Sequence, residues 1–550
     1  MSLNPLKNLP RPTISPWFFN IVVALTITFF QNVVFFHKTL QLIDVSGNHN
    51  LLFFLSMPVT LLMGLNILFS LILLPYIRKP IAIVLFIVDA LAQYFMQSYG
   101  VIIDRGMIQN ALDTTPAESL ALLTPQLGLY LLVIGILPSI LIIWIKVRPV
   151  TFSWLNAGFY ALNLLFSICI IALVATFFYK DYASLMRNNQ QLIKNLTPSD
   201  MMIGSYSYYK HDYIKLQPFV NIGLDAKKIP VTRDNGKKNL IILVVGETSR
   251  AQNFSLGGYG KPTNPRLAAD NVTYFPNTSS CGTATAVSVP CMFSGMPRRQ
   301  YDGDKAANQD NVLDILKRAG IDILWRENDG GCKDVCLRVP TDDLSRWHMP
   351  ELCSAGVCLD EALLRDLDKY IDERTGDTLI VLHTIGSHGP TYYQRYPKNI
   401  QAFTPTCETN EIQTCSTQAL VNTYDNTIVY IDYMLDKTIK MLQAHSDKFN
   451  TALVYLSDHG ESLGENGLYL HGMPYAVAPV QQTHIPMLMW LSPDYIQAHG
   501  VGERCLKDRA QRQQFSQDNL FSTLLGLLNV RTQLYQPDLD VFQPCRNPQQ

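Results

Sequence analysis

The sequence predicts a two-part protein, in which a five-helix transmembrane domain precedes a soluble α/β domain. Residues 1–180 are mostly apolar and contain five long apolar stretches. From about residue 235, short apolar runs alternate with helical patterns, and ten of the 11 cysteines lie in this later part. We therefore expect a transmembrane domain over residues 1–180, an interfacial bridging segment over 181–236 and a soluble domain over 237–550.

The five apolar stretches have the length of membrane-spanning helices. A helix needs about 20 apolar residues to cross a bilayer. Pro58 and Pro138 lie inside two of the stretches, where neighbouring helices of a bundle tolerate them. The predicted spans are residues 17–36, 51–77, 80–99, 122–145 and 153–178.

Basic residues mark one side of the membrane. They concentrate before the first span and in the second and fourth connections, which the positive-inside rule places in the cytoplasm. The N-terminus is then inside, and an odd number of spans puts the soluble domain outside. The basic residues are Lys7, Arg11, Arg78, Lys79, Lys146 and Arg148.

The placement of cysteines indicates the same orientation. An even number of cysteines outside the membrane favours disulfides in an oxidising compartment. Zinc binding by the Cys332/Cys336 and Cys353/Cys358 neighbours is the alternative, and sequence does not determine connectivity. The close neighbours are Cys281/Cys291, Cys332/Cys336, Cys353/Cys358 and Cys407/Cys415, with Cys505 and Cys545 left over.

The connection between the third and fourth spans, residues 100–119, is long and polar. In the predicted orientation it lies on the same side as the soluble domain. Asn110, Thr114 and Glu118 recur every fourth residue and would share one face of a helix. That face is either an ordinary solvated surface or a contact with a lipid headgroup.

The soluble part alternates apolar strands with helices. Continuous apolar runs are typical of strands buried on both faces of a parallel sheet, and the alternation predicts an α/β sandwich. Active sites of such sheets lie just beyond the carboxyl ends of the strands. The predicted strands are residues 240–245, 321–325, 378–383, 452–456 and 485–490, and the predicted helices are 311–319, 359–373, 418–444 and 519–528.

Carboxylates and imidazoles follow three of these strands. Glu247 follows the first, Asp458 and His459 follow the fourth, and His388 comes five residues after the third. Zinc accepts both ligand types, so their convergence at one sheet edge predicts a metal site. His383 lies inside a strand, and we expect it to be a packed core residue.

Two threonines in one loop are candidate nucleophiles. Thr283 and Thr285 lie between Cys281 and Cys291, and a disulfide between those cysteines would restrain the loop. A threonine hydroxyl is a weak nucleophile near neutral pH, and a bound Zn²⁺ helps to deprotonate it. Spacing alone does not choose between the two threonines.

The chain charge argues against nucleic acid as the main partner, because 44 Lys and Arg balance 45 Asp and Glu. The motifs instead resemble one family, the lipid A phosphoethanolamine transferases, which include the mobile colistin-resistance enzymes. The resemblance covers essentially the whole chain, and it implies the fold of alkaline phosphatases and sulfatases for the soluble domain. It is carried by DTTPAES at residues 113–119, GETSR at 246–250, SCGTATAVSVPC at 280–291 and SDHGESLGENG at 457–467.

The resemblance also implies roles for individual residues. Thr285, rather than Thr283, matches the threonine that becomes covalently modified. His388 and His471 match histidines near the substrate phosphate and a candidate second metal. The residues implied to bind zinc are Glu247, Thr285, Asp458 and His459, and those implied to bind substrate are Asn110, Thr114, Glu118 and Lys333.

The activity that the resemblance implies is transfer of phosphoethanolamine from phosphatidylethanolamine to a lipid A phosphate. The catalytic domain, residues 237–550, would be periplasmic and the chain would reside in the bacterial inner membrane. The product would carry less of the negative charge that polymyxins exploit.

Transfer to an inner-core sugar and phosphoglycerol transfer are the alternatives. A sulfatase is disfavoured because residues 290–293 do not fit its activation sequence, Cys/Ser-x-Pro-x-Arg. An inactive membrane sensor is disfavoured because every expected site residue is present.

Overall fold

The computed structural model describes residues 11–43, 45–149, 154–188, 190–209, 218–230, 233, 235–344, 347, 349–354 and 357–546. The chain divides into two compact units, which we call the membrane unit and the soluble unit. The membrane unit comprises Met1–Ile108 and Leu123–Tyr208, and the soluble unit comprises Gln109–Leu122 and Tyr209–Gln550. Lys7 and parts of the predicted bridging segment 181–236 lie outside the described residues.

The first part of the chain is helical. Its helices are α1 Pro16–Phe30, α2 Val33–Leu42, α3 Asn48–Ile72, α4 Arg78–Tyr99, α5 Arg105–Asp113, α6 Pro116–Ala121, α7 Pro125–Tyr130, a π-helix Leu131–Ile136, α8 Leu137–Trp144, α9 Trp154–Asn188, α10 Gln190–Ile193 and α11 Ser199–Tyr209. Among the described residues, four helical segments are long and apolar enough to cross a membrane: Asn48–Ile72, Arg78–Tyr99, Pro125–Trp144 and Trp154–Tyr182. The axis bends by 51° between α1 and α2, and a fifth crossing is counted only if the two helices together form one span.

Two polar residues, Gln31 and Asn32, separate α1 from α2. The side-chain amide of Gln31 donates to the backbone oxygens of Phe86 and Ile134 at 2.8 and 3.1 Å. That of Asn32 donates to the backbone oxygen of Ile27 at 3.1 Å. Buried amides require such partners, and these bonds interrupt the apolar helix. The predicted first span, residues 17–36, is therefore a bent pair rather than one straight helix.

A mixed eight-stranded sheet lies at the centre of the soluble unit. The strands among the described residues are β1 Thr13–Ile14, β2 Lys146–Val147, β3 Lys227–Lys228, β4 Lys238–Gly246, β5 Thr273–Ser279, β6 Asp322–Glu327, β7 Thr341–Asp343, β8 Cys353–Ser354, β9 Val357–Cys358, β10 Thr378–His383, β11 Phe449–Ser457, β12 Ser462–Leu463, β13 Tyr469–Leu470, β14 His484–Leu491, β15 Phe515–Ser516 and β16 Val530–Arg531. The order in the large sheet is β15-β5-β14-β11-β4-β10-β6-β7.

The central strands β11, β4, β10 and β6 are parallel neighbours. Nearly all of their residues are buried, as their continuous apolar runs predict. The β4–β11 pairing ends with Gly246 opposite Ser457. The carboxyl ends of the central strands therefore meet at one edge of the sheet.

The sheet departs from the prediction at one side. β14, predicted as residues 485–490 of a parallel sheet, runs antiparallel to both β11 and β5. β5 was absent from the predicted strands. A buried apolar run looks the same in either direction, so its composition carries no information on strand polarity.

The remaining helices belong to the soluble unit. They are α12 Pro265–Ala269, α13 Thr285–Ser294, α14 Gly303–Ala307, α15 Val312–Arg318, α16 Leu367–Asp372, α17 Thr417–Ala444, α18 Val480–Thr483, α19 Pro493–His499, α20 Glu503–Arg512 and α21 Leu520–Leu527. The predicted helix 359–373 is divided into a 3-10 helix, Asp360–Leu364, and α16. The break falls at Asp366, whose φ of 55° no right-handed helix accommodates.

Five disulfides join the cysteine neighbours, which confirms the expected disulfide chemistry. The bonds are Cys281–Cys291, Cys332–Cys336, Cys353–Cys358, Cys407–Cys415 and Cys505–Cys545. The alternative of zinc binding by these cysteines is excluded, because each sulfur is bonded to another. Cys169 is a free thiol in α9.

Candidate active site

Two adjacent strand ends bring three ligand groups together. Because β4 and β11 are paired to their last residues, Glu247 and Asp458 emerge side by side. The Asp458 N–H donates to the Gly246 oxygen at 2.8 Å, which continues the ladder one residue further. Single ligand atoms of Glu247, Asp458 and His459 all lie within 4.8 Å of one another, and the three side chains are fully buried.

His459 presents one ring nitrogen to this group. Its Nδ1 donates to the Gly460 oxygen at 2.9 Å, which leaves Nε2 as the free nitrogen. Nε2 lies 3.2 Å from Asp458 Oδ2 and 3.5 Å from Glu247 Oε1. Burial lowers the pKa of His459 to about 4, so the ring is neutral near pH 7 and can act as a ligand.

Thr285 completes the group from a helix N-terminus. It is the first residue of α13, and its hydroxyl donates to Glu247 Oε2 at 3.1 Å and lies 3.5 Å from His459 Nε2. The rival Thr283 donates its hydroxyl to the Met473 oxygen at 2.6 Å. The N-terminal end of a helix favours anions, so Thr285 lies where a phosphoryl group would be stabilised.

The two carboxylates need a cation to be ionised together. Burial, followed by the charges of Asp329 and Asp458, raises the pKa of Glu247 well above its ordinary value. Glu247 Oε1 and Asp458 Oδ2 are buried and have no hydrogen-bond partner among the described residues. Two carboxylates, one hydroxyl and one neutral imidazole suit a four-coordinate zinc ion. The residues present therefore fit Zn²⁺.

His471 and His388 line the next layer of the site. The His471 ring centroid lies 4.4 Å from that of His459 and 5.4 Å from that of His388. His471 Nδ1 is 3.4 Å from Glu461 Oε1. Burial favours the neutral ring of His471, but the charge of Glu461 outweighs it and raises the pKa. Burial and the charge of His471 lower the pKa of His388.

The segment Gln109–Leu122 belongs to the soluble unit and brings Glu118 to His388. Glu118 Oε1 lies 3.8 Å from His388 Nε2. Its Oε2 accepts the Thr115 N–H at 2.7 Å in a capping box that begins α6. α5 ends before Thr114, so the expected helix with Asn110, Thr114 and Glu118 on one face does not form. Pro116 and the cap at Thr115 start a new helix instead.

Lys333 occupies a tight turn closed by the Cys332–Cys336 disulfide. Its φ is 47°, in the left-handed region. It attracts Asp329, which follows the end of β6. Lys333 therefore lies beside the carboxylates of the sheet edge without being one of the metal-group residues.

Sequence reasoning missed three acidic residues at this edge. Glu461 and Asp329 are buried and face His471 and the Glu247 group, and Glu327 pairs with His383 at 2.9 Å. The strand-end rule would have found Asp329 had β6 been extended to Glu327 rather than ended at Trp325. Glu461 stands in the motif that follows β11, but no local signal separates it from a solvated glutamate.

The chain is similar to known proteins over nearly its whole length. The family described as phosphoethanolamine transferase EptA/EptB matches residues 61–213, and the family described as sulfatase matches residues 239–530. Phosphoethanolamine transferase EptA of Escherichia coli (strain K12) is 54% identical over 538 residues, which cover 98% of each chain. Phosphatidylethanolamine transferase Mcr-1 of Escherichia coli is 38% identical over 493 residues, with 87% of this chain and 90% of that protein covered. The structure of the integral membrane lipooligosaccharide phosphoethanolamine transferase EptA from Neisseria meningitidis matches with a TM-score of 0.92 at 40% identity, covering 98% of this chain and 100% of that one.

Proposed function

This chain belongs to the phosphoethanolamine transferase family, and from that premise we propose that it transfers phosphoethanolamine from phosphatidylethanolamine to a lipid A phosphate through a covalent intermediate on Thr285. The observation that carries the proposal is the position of the Thr285 hydroxyl, 3.1 Å from Glu247 at the N-terminus of α13. The relative Mcr-1, a phosphatidylethanolamine transferase, supports the choice of donor.

In the first half-reaction the Thr285 oxygen attacks the phosphorus of the donor lipid. The bond from phosphorus to the diacylglycerol oxygen breaks, and the threonine proton passes to water. Zn²⁺ bound by Glu247, Thr285, Asp458 and His459 would lower the pKa of the threonine hydroxyl and offset the charge of the phosphoryl oxygens. The N–H groups at the start of α13 offer further stabilisation of that charge.

The departing diacylglycerol oxygen needs a proton. His471 is the better candidate of the two histidines, because Glu461 favours its protonated form whereas burial disfavours that of His388. In the second half-reaction an oxygen of the acceptor phosphate attacks the same phosphorus and releases Thr285. The cycle is then of the ping-pong type.

Substrate binding falls to groups around this centre. We assign the donor headgroup to Asn110, Thr114 and Glu118, whose carboxylate suits a cationic ethanolamine amine. Lys333 would bind a substrate phosphate, since its ammonium group lies beside the sheet edge. The catalytic domain would act on the periplasmic side of the inner membrane, where both lipids are accessible. The modified lipid A would carry less negative charge and would bind polymyxins less tightly.

The test of the intermediate uses the full-length chain in detergent with phosphatidylethanolamine alone. Mass spectrometry of tryptic peptides should find phosphoethanolamine on Thr285, and Thr285→Ala should lose both the adduct and the transfer. Thr283→Ala is the matched control, because its hydroxyl bonds the Met473 oxygen, and it should keep the adduct. An adduct on another residue, or full transfer by Thr285→Ala, would reject the proposal.

The acceptor is tested separately. Purified protein is mixed with phosphatidylethanolamine and either lipid A or an inner-core lipopolysaccharide, and the products are weighed. If a core sugar is modified and lipid A is not, the acceptor is the core sugar rather than lipid A. Glycerophosphate added from phosphatidylglycerol would instead indicate a phosphoglycerol transferase.

A further inference from the structure

A second group of potential ligands lies on the other side of Glu247. Single ligand atoms of Glu247, Asp329 and His383 lie within 4.8 Å of one another. Their side chains are almost completely buried, with exposed fractions of 0%, 4% and 0%. This group shares only Glu247 with the Asp458 and His459 group.

The sheet positions these residues as rigidly as the first group. His383 is the last residue of β10, which lies between β4 and β6, and it is paired with Val245 on one side and Glu327 on the other. Asp329 follows β6 by two residues. The three residues thus come from three neighbouring strand ends: His383 lies within the ladder, and Glu247 and Asp329 lie one and two residues beyond it.

Glu327 orients the imidazole of His383. His383 Nδ1 donates to Glu327 Oε2 at 2.9 Å. The Glu327 carboxylate is itself fixed, because it accepts bonds from Trp325 Nε1 at 2.9 Å and from the Asp329 N–H at 2.6 Å. His383 Nε2 is therefore directed away from Glu327 toward Asp329. A carboxylate behind a histidine is the usual outer partner of a metal-binding imidazole.

The atoms directed into this space have no protein partners. His383 Nε2 and Asp329 Oδ1 are buried and lack hydrogen bonds within the described part of the chain, as does Glu247 Oε1, which also lies 3.5 Å from His459 Nε2. The contact of His383 Nε2 with Asp329 Oδ2 is 3.7 Å, too long for a hydrogen bond. Leaving a buried polar atom unpaired destabilises the fold, and His383 Nε2 and Asp329 Oδ1 are two such atoms in one group.

The region contains four carboxylates. Glu247, Asp458 and Asp329 face one another, and Glu327 adds a fourth carboxylate behind His383. A zinc ion in the first group balances two of the four. Lys333, which attracts Asp329, and Arg395, which attracts Asp329 and Glu247, offset the other two. Burial lowers the pKa of His383, but the charge of Glu327 outweighs it and raises the pKa to about 9, so a metal that binds Nε2 must displace a proton.

We propose that Glu247, Asp329 and His383 bind a further divalent transition-metal ion, so that Glu247 bridges two ions. Two carboxylates and one imidazole are ligands of Zn²⁺ and Mn²⁺, and a shared carboxylate is compatible with ions about 3.5–4 Å apart. The bridge would keep both oxygens of Glu247 engaged and would hold this ligand in place for the ion beside Thr285. The inference rests on the proposed function only in that Glu247 serves both sites.

The first experiment counts ions. The full-length chain is stripped with a chelator and titrated calorimetrically with Zn²⁺ and, separately, Mn²⁺, and bound metal is measured by mass spectrometry. Asp329→Asn and His383→Gln should each lose one equivalent relative to the unsubstituted chain and keep the equivalent that Asp458→Asn loses. Asp425→Asn is the matched control, a fully buried carboxylate paired with Lys261, and should lose none.

A second variant tests the role of Glu327. Glu327→Gln should weaken the affinity for this ion alone by about 10–100-fold, the effect expected of an outer partner. A merely structural role would lower the melting temperature without changing the metal affinity of the folded protein.

The result that overturns the inference is unchanged metal content in both folded variants, Asp329→Asn and His383→Gln. If both variants fail to fold, anomalous diffraction from crystals of the unsubstituted chain grown with Zn²⁺ decides, because the absence of a peak within bonding distance of His383 Nε2 rejects the site. Failure of the proposed function is distinguishable, because it is detected by the absence of a phosphoethanolamine adduct on Thr285 rather than by metal content.

Discussion

At the scale of single residues, the ionisation of Glu247 couples metal binding to pH. Its pKa is raised by burial and by neighbouring carboxylates, so it must release a proton when a cation binds. The pKa of His459, about 4, keeps that ligand neutral above about pH 5.

We therefore predict that zinc affinity falls as the pH is lowered, with proton uptake by Glu247 as the cause. Calorimetric titrations in buffers of different ionisation enthalpy measure both the affinity and the protons released. Glu247→Gln should abolish the proton release. A zinc affinity that does not change with pH would contradict this account.

Gly386 is a second residue on which the site depends. Its φ is +48°, and a Cβ atom there would lie 2.5 Å from the Glu247 oxygen and 2.9 Å from its nitrogen. Gly386→Ala should therefore displace the Glu247 backbone and reduce both zinc content and thermal stability. Gly500→Ala is the control, because φ is +60° with no atom within 4 Å of the added Cβ. It should cost about 1 kcal/mol and leave zinc content unchanged.

The sequence predicted the residues that immediately follow β4 and β11, because a strand end and its next side chain are local features. Glu247, Asp458 and His459 belong to this class. The pairing of Glu327 with His383 was not predictable, since it depends on β6 and β10 being neighbours in register. Expected to be a packed core residue, His383 is indeed buried, but its free Nε2 faces a carboxylate rather than apolar atoms.

At the scale of elements, two disulfides should have different effects. The cysteines of Cys281–Cys291 are 10 residues apart and enclose Thr285. Those of Cys505–Cys545 are 40 residues apart and enclose none of the residues of the metal group. Loop entropy assigns about 3 kcal/mol to the first and about 4 kcal/mol to the second. Paired Cys→Ser variants should show the larger loss of melting temperature for Cys505–Cys545 and the larger loss of transfer for Cys281–Cys291. The opposite ranking of activities would show that the Thr285 loop does not need its disulfide.

The cap of α6 offers another prediction. Thr115→Ala removes the hydroxyl that accepts the Glu118 N–H at 3.3 Å and with it about 1 kcal/mol of helix stability, which loosens the helix that carries Glu118. We expect a higher KM for the donor lipid with unchanged zinc content. Ser416→Ala, which removes the cap of α17, is the control and should leave KM unchanged. An unchanged KM for Thr115→Ala would show that the position of Glu118 does not affect binding of the donor lipid.

The elements show which sequence signals were sufficient. The helix α17 was predicted within one residue at its start, because its periodic apolar face is long and begins at a capping serine. The direction of β14 and the existence of β5 were not predicted, because both depend on pairing with strands that are distant in the chain. The Asn110–Glu118 helix failed because a proline and a capping threonine outweigh a four-residue spacing.

At the scale of the whole molecule, the angle between α1 and α2 makes the number of crossings testable. Basic residues predict that the N-terminus is cytoplasmic. If the bent pair crosses the membrane, the soluble unit is outside; if it does not, four crossings put that unit inside. We expect protease added to spheroplasts to digest the soluble unit and leave a cytoplasmic N-terminal tag intact. Protection of the soluble unit until the membrane is lysed would exclude five crossings.

The register of β4 against β11 has a consequence for cell physiology. Nine residue pairs hold these strands to the point where Glu247 and Asp458 emerge, so the ladder rather than the ion positions the ligands. Under the proposed zinc dependence, the protein would fold where zinc is scarce and remain there as an inactive reserve. A change in the supply of the metal would then alter the proposed transfer without transcription or export of new protein.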